Sequence, residues 1–125
     1  MAEGFTIKRH DELELMEGSG NATWHLVRRP LGLEAFGINK VEIGPGGQIP
    51  EHDEAASGEV EVYAILEGSG KFRLDGEEHD APAGSFARID PEVSRTIVND
   101  SDAPLTALLI GAPADSGYRP IAGWL

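Results

Sequence analysis

Residues 75–84 read Asp75-Gly76-Glu77-Glu78-His79-Asp80-Ala81-Pro82-Ala83-Gly84. The apolar-alternating run 71–74 leads straight into Asp75-Gly76. Such a dipeptide marks a tight hairpin, because both central residues of the turn must tolerate positive φ. Pro82-Ala83-Gly84 closes the stretch with a second turn, proline fixing φ and glycine supplying backbone freedom. Working outward, Gly44-Pro45-Gly46-Gly47, Gly68-Ser69-Gly70 and Asp90-Pro91 punctuate the chain at similarly short intervals. Between them lie runs of strand character at 34–43, 60–67, 71–74, 85–89, 95–99 and 105–111. Many short strands separated by regular turns predict an all-β sandwich or barrel. The only helical candidate is the short acidic stretch 11–17.

The chain has 125 residues, 40% of them hydrophobic, which is enough to bury the core of one domain without disulfides or a structural metal. It has no cysteine, so disulfides, thiolate nucleophiles and zinc–thiolate sites are excluded. The expected organisation is a single domain over 1–125. Its barrel core covers about 34–111, with an N-terminal extension at 1–33 and an irregular tail at 112–125. A formal charge of −12 repels nucleic acid and anionic membranes, since both bind through Lys and Arg. No apolar run approaches the roughly 18 residues of a membrane span, and no basic segment precedes an apolar one at the start. A cytoplasmic location is the expectation.

The run 60–67 holds a contradiction. Side chains alternate across a strand, so Glu61, Tyr63 and Ile65 share one face and Val62, Ala64 and Leu66 the other. Both faces are apolar apart from Glu61, which predicts burial on both sides. A carboxylate in such a strand is costly unless a partner meets it. The outward face needs a cover as well, either residues 24–27 or a second subunit, and a homodimer is expected.

Glu61 also has a place in a longer pattern. Gly46, His52, Glu61 and Gly68 fit a Gly–x5–His-x-His–Glu–x6–Gly motif, with Glu54 where the second His is expected and a spacer two or three residues longer than usual. Gly76–x5–Pro82-x-Gly84 fits a second motif, which continues to a His and then an Asn four residues on. Asn99 matches the Asn, and Arg95 stands at the His position. Over residues 34–111 the chain therefore resembles the cupin superfamily, small single-domain type. The resemblance implies a double-stranded β-helix, or jelly-roll barrel, of two antiparallel sheets. In that family the two motif histidines, the Glu and the late His converge on one divalent metal. Carried over, this implies that His52, Glu54, Glu61 and Arg95 point into one cavity, with Tyr63 on its wall.

Chemistry limits what such a cavity does. His52, Glu54 and Glu61 form a donor set for Mn, Fe, Ni or Zn. Arg95 cannot be a ligand, because it stays protonated and has no lone pair to give. It can pair with Glu61 or Glu54, or anchor an anionic ligand. Two readings stand open: a small-molecule-binding barrel, and a metal-dependent enzyme of dioxygenase, isomerase or decarboxylase type. His79, between Glu78 and Asp80, reads as a surface imidazole. His10 and His25 have no supporting pattern. Trp24, Phe36, Phe72 and Phe86 read as core or interface aromatics.

Overall fold

In the computed structural model, which describes residues 4–122, the strand runs assemble into two antiparallel sheets. In chain order the elements are β1 (Glu14–Glu17), β2 (Ala22–Leu26), α1 (Arg28–Leu31), β3 (Gly37–Ile43), β4 (Glu59–Glu67), β5 (Ser69–Leu74), β6 (Glu77–Pro82), β7 (Phe86–Ile89), β8 (Arg95–Val98) and β9 (Leu105–Pro113). The larger sheet runs β1-β2-β3-β9-β4-β7 and the smaller β6-β5-β8. Residues 48–52 lie antiparallel along β8, with Gln48 opposite Val98 and His52 opposite Arg95. They act as a further, irregular member of the smaller sheet. The all-β, two-sheet expectation holds.

The core lies between the sheets. Val41, Ile43, Ile65, Ile89, Ala107 and Leu109 enter it from the larger sheet, and Ile49, Phe72, Ala81 and Ile97 from the smaller. Burying each large aliphatic side chain stabilises the fold by roughly 1.5–3 kcal/mol. The Asp75-Gly76 hairpin forms as its composition requires, with φ of 51° and 81° and Leu74 paired to Glu77 across a two-residue turn. Gly68 has φ 79°, and a Cβ there would run into the Pro104 carbonyl. Glycine at that position therefore lets β4 pass into β5.

Three local expectations fail. Residues 11–17 do not form a helix: His10–Glu12 is a single 3₁₀ turn, and Glu14–Glu17 is a strand paired with β2. A seven-residue segment is too short to hold a helix without tertiary help, whereas pairing satisfies its backbone at a sheet edge. The α-helix among the described residues is α1, one turn closed by Gly32 in the left-handed region. Residues 24–27 do not cover β4. They belong to or follow β2, which lies in the same sheet with β3 and β9 between it and β4. β4 is fully buried only in its middle, at Tyr63, Ala64 and Ile65, while Val60 and Val62 are half-buried and Leu66 is exposed. β6 was invisible to pattern because its polar residues 77–80 are all exposed.

Candidate functional site

β4 and β8 bring Glu61 and Arg95 together from 34 positions apart. Arg95 has no solvent exposure and Glu61 very little. Arg95 Nη1 donates to Glu61 Oε1. Its other two nitrogens are also engaged, Nε with the Val93 carbonyl at 2.8 Å and Nη2 with the Asp90 carbonyl at 2.7 Å. The loop opened by Asp90-Pro91 thus folds its carbonyls around the guanidinium. Tyr63, wholly buried, directs its hydroxyl to the same Glu61 oxygen at 3.4 Å. Opposite Glu61 on β9 stands Gly111. A Cβ there would meet Glu59 Oε1 at 2.7 Å and Glu61 Cγ at 3.3 Å, so the glycine leaves room for both of these β4 side chains.

His52 and Glu54 close the site from the loop before β4. His52 exchanges backbone hydrogen bonds with Arg95, 3.2 Å and 2.8 Å. Directly opposed residues of an antiparallel pair share a face, which sends the imidazole toward the guanidinium side. Its Nδ1 meets the Pro50 carbonyl at 2.9 Å, and its Nε2 meets Glu54 Oε2 at 2.9 Å. A carbonyl only accepts, so Nδ1 carries a proton. Nε2 and the carboxylate oxygen are then both acceptors, and a proton or a metal ion between them satisfies both. Ser57 fixes Glu54 by donating to Oε1 at 2.8 Å. The extra residues of the spacer form the turn at 55–58 that delivers this serine.

The nitrogen of His52 and one oxygen each of Glu54 and Glu61 lie within 4.8 Å of one another. Metal ligands at right angles on bonds of about 2.1 Å stand about 3 Å apart. The His52–Glu54 spacing matches that edge, and two carboxylates with one imidazole suit a hard or intermediate divalent ion. The donor set therefore fits a metal, with three protein ligands. Burial raises the Glu61 pKa above its ordinary range. The Arg95 charge pulls it back, and the Glu54 carboxylate raises it further. Tyr63 is pushed well above the usual phenol range, first by burial and then by the Glu61 charge.

All five sequence-derived residues, His52, Glu54, Glu61, Tyr63 and Arg95, meet in this one place. The Pro50, Asp90 and Val93 carbonyls and the Ser57 hydroxyl were not singled out. Backbone carbonyls leave no trace in residue type. His79 sits on exposed β6, 3.0 Å from Glu77, apart from the site. Phe72 and Trp24 pack in or against the core, while Phe36 and Phe86 are exposed on the outer face of the larger sheet.

Comparison with known proteins extends this picture. The Cupin domain family model matches residues 39–111. No curated protein matches the chain. Among solved structures, a predicted oxalate decarboxylase from Thermotoga maritima is 21% identical, covering 86% of this chain and 99% of that one, with a TM-score of 0.75. A sugar phosphate isomerase from a cupin superfamily of Silicibacter pomeroyi is 23% identical, covering 83% and 73%, with a TM-score of 0.70. A cupin protein from Bacteroides fragilis is 26% identical, covering 92% and 97%, with a TM-score of 0.69.

Proposed function

The chain belongs to the cupin domain family, and from that premise we propose that His52, Glu54 and Glu61 hold one divalent ion and present it to a small, oxygen-rich ligand. The single observation behind this reading is the convergence of one nitrogen and two carboxylate oxygens within 4.8 Å. Such an ion supplies Lewis acidity to a ligand oxygen. The protein's own contribution is positioning: the Pro50 carbonyl aims the imidazole, Ser57 holds Glu54, and Arg95 keeps Glu61 in place. Decarboxylation, isomerisation and dioxygenation are the reaction classes such a site would serve, and Mn, Fe, Ni and Zn are the ions to try. Calorimetric titration of tag-free protein should show one equivalent bound in the barrel pocket, and Glu54→Gln and His52→Ala should remove that equivalent alone. Arg95→His should tighten that binding, because it replaces a fixed positive charge with a fourth donor. Unchanged affinity in all three variants would rule the site out.

A second reading rests on the Arg95–Glu61 pair. The guanidinium already supplies the counter-charge that Glu61 needs on burial, so the pocket is complete without a metal. In that case a proton lies between His52 Nε2 and Glu54, and the acceptors open to a small molecule are the carboxylate oxygens of Glu54 and Glu61. The pocket then favours a ligand rich in hydroxyl or amine donors. An anionic ligand anchored on Arg95 is a poorer fit. The guanidinium is fully buried and each of its nitrogens is engaged within the protein.

Assembly belongs to the same proposal. Ile38, Ile110 and Val62 are consecutive cross-strand partners on the outer face of the larger sheet. Phe36, Leu66 and Phe86 are exposed, Phe86 being the next strand's partner of Ala64. A second copy of the chain is the occupant we propose for this face, since an apolar surface of this kind is unfavourable in water. Light scattering at micromolar concentration should give twice the 13.3 kDa chain mass. The single-chain mass would refute it.

A further inference from the structure

Away from the barrel interior, three metal-ligating side chains meet on the outer face of the larger sheet. His25 and Lys40 are cross-strand partners of β2 and β3, and Glu42 stands two residues beyond Lys40 on the same face. The 3₁₀ turn at His10–Glu12 brings His10 over them. His25 Nε2 lies 2.6 Å from Glu42 Oε1, and His10 Nε2 lies 3.9 Å from the same oxygen. The two imidazole rings overlap, with centroids 4.2 Å apart at 43°. One ligand atom from each of the three residues lies within 4.8 Å of the others. His25 is buried although it projects from the outward face of its strand, its side chain only 10% exposed. Polar residues on an outward face ordinarily stay wet.

We propose that His10, His25 and Glu42 form a second divalent transition-metal site, separate from the barrel pocket, that clips the N-terminal segment onto the edge of the larger sheet. Two imidazole nitrogens and one carboxylate oxygen are a donor set for Zn(II), Co(II) or Ni(II), and leave a fourth tetrahedral position for water. Ligands in a tetrahedron on bonds of about 2.1 Å stand roughly 3.4 Å apart, between the two nitrogen–oxygen distances here. Small rotations of His10 and Glu42, both about half exposed, even them out. Lys40 is the competitor. Its ammonium lies 3.2 Å from His10 Nδ1, where it donates to that nitrogen and so keeps the ring proton on Nε2. Metal entry moves the His10 proton to Nδ1, displaces the proton shared by His25 Nε2 and Glu42 to His25 Nδ1 or to solvent, and turns Lys40 away.

This site does not depend on the pocket reading, and a titration separates the two. Tag-free protein is titrated with Zn(II) by calorimetry, and with Co(II) in the visible, where a four-coordinate ion absorbs strongly. The His52→Ala variant should keep one equivalent of Zn(II) and the four-coordinate Co(II) spectrum. His10→Ala, which changes a surface side chain, should lose that equivalent, and Glu42→Gln should lose it too. Lys40→Met should tighten it severalfold by removing both the competing donor and its charge. Circular dichroism confirms that each variant is folded before its titration is read. If His10→Ala and Glu42→Gln bind Zn(II) as wild type does, or if His52→Ala binds none, the site does not exist. The pocket reading fails by a different result, unchanged metal binding in Glu54→Gln and His52→Ala.

Discussion

Arg95 and Arg73 stand on neighbouring strands of the smaller sheet, and both are paired with carboxylate. Leu74 is the cross-strand partner of Arg95, and Arg73 is the partner of Thr96. One step along a strand reverses the face, so Arg95 enters the barrel and Arg73 leaves it. Arg73 reaches Glu51 at 3.4 Å and Glu78 at 3.1 Å, both partly exposed. Arg95 reaches Glu61 and two carbonyls with no exposure at all. The chemical groups are alike, and what differs is water. Outside, solvent solvates whichever charge loses its partner. Inside, nothing replaces the partner, and the stranded charge is the cost.

Arg95→Ala is the sharpest attack on that contrast. It removes a buried cation, leaves Glu61 unpaired, and frees the Asp90 and Val93 carbonyls. The expected loss is about 3–5 kcal/mol, read from denaturant midpoints. Adding Glu61→Gln should recover part of it, because the neutral amide needs no counter-charge. If the double variant is no better than Arg95→Ala alone, charge is not what the pair contributes.

How much of this was legible beforehand follows from the same physics. Glu61 stood out because an acid in an otherwise apolar strand needs an explanation, and the resemblance to the two cupin motifs implied that His52, Glu54 and Arg95 meet it. The frame of β3 to β5 and β7 to β9 was readable from glycine, proline and apolar alternation. β1, β2 and β6 were not. The exposed residues of β1 and the largely exposed β6 show no periodicity, because strands at or near sheet edges need bury only one partial face. Missing β2 hid the outer cluster, since His25 and Glu42 meet only through the β2–β3 register. The carbonyls that hold Arg95 come from loop geometry, which residue identity does not encode.

Asn99 separates burial from charge. It has no exposure, and its amide donates to the Ile43 and Ala103 carbonyls at 2.9 Å and 2.8 Å. Its oxygen accepts from the Ser101 backbone and hydroxyl at 3.0 Å and 2.7 Å. Asn99→Ala strands neutral groups only, so about 1–3 kcal/mol is expected, below the Arg95 loss. A cost equal to that of Arg95→Ala would mean that burial alone, and not charge, governs the interior.

The Glu61 carboxyl tests the balance by pH. Its pKa in the folded protein is raised above the ordinary 4.5, burial being the largest cause. The folded state therefore binds this proton more tightly than the unfolded chain does. The resulting stabilisation is fully present below the unfolded pKa and is lost as pH rises through the folded one. Wild type should lose stability relative to Glu61→Gln as pH climbs above about 4.5, seen as a wild-type urea midpoint that falls relative to the variant's. A wild-type midpoint that rises relative to the variant's would show that the Arg95 attraction outweighs burial.

Arg73→Ala should do least. Its guanidinium is bonded to Glu51 and Glu78 at the surface, and both acids gain water when it leaves. Two further features dilute the loss: Glu78 belongs to exposed β6, and the backbone pairing of β5 with β6 and β8 does not involve the side chain. Exposed pairs also weaken as salt rises, because counter-ions screen them. The midpoint shift on Arg73→Ala should therefore fall within the scatter of repeat measurements, and any residue of it should vanish in molar salt. The Arg95→Ala shift should survive the same salt, since ions do not reach a side chain without exposure. A salt-resistant loss at Arg73 comparable to that at Arg95 would show that the two faces of this sheet do not differ in the way their burial implies.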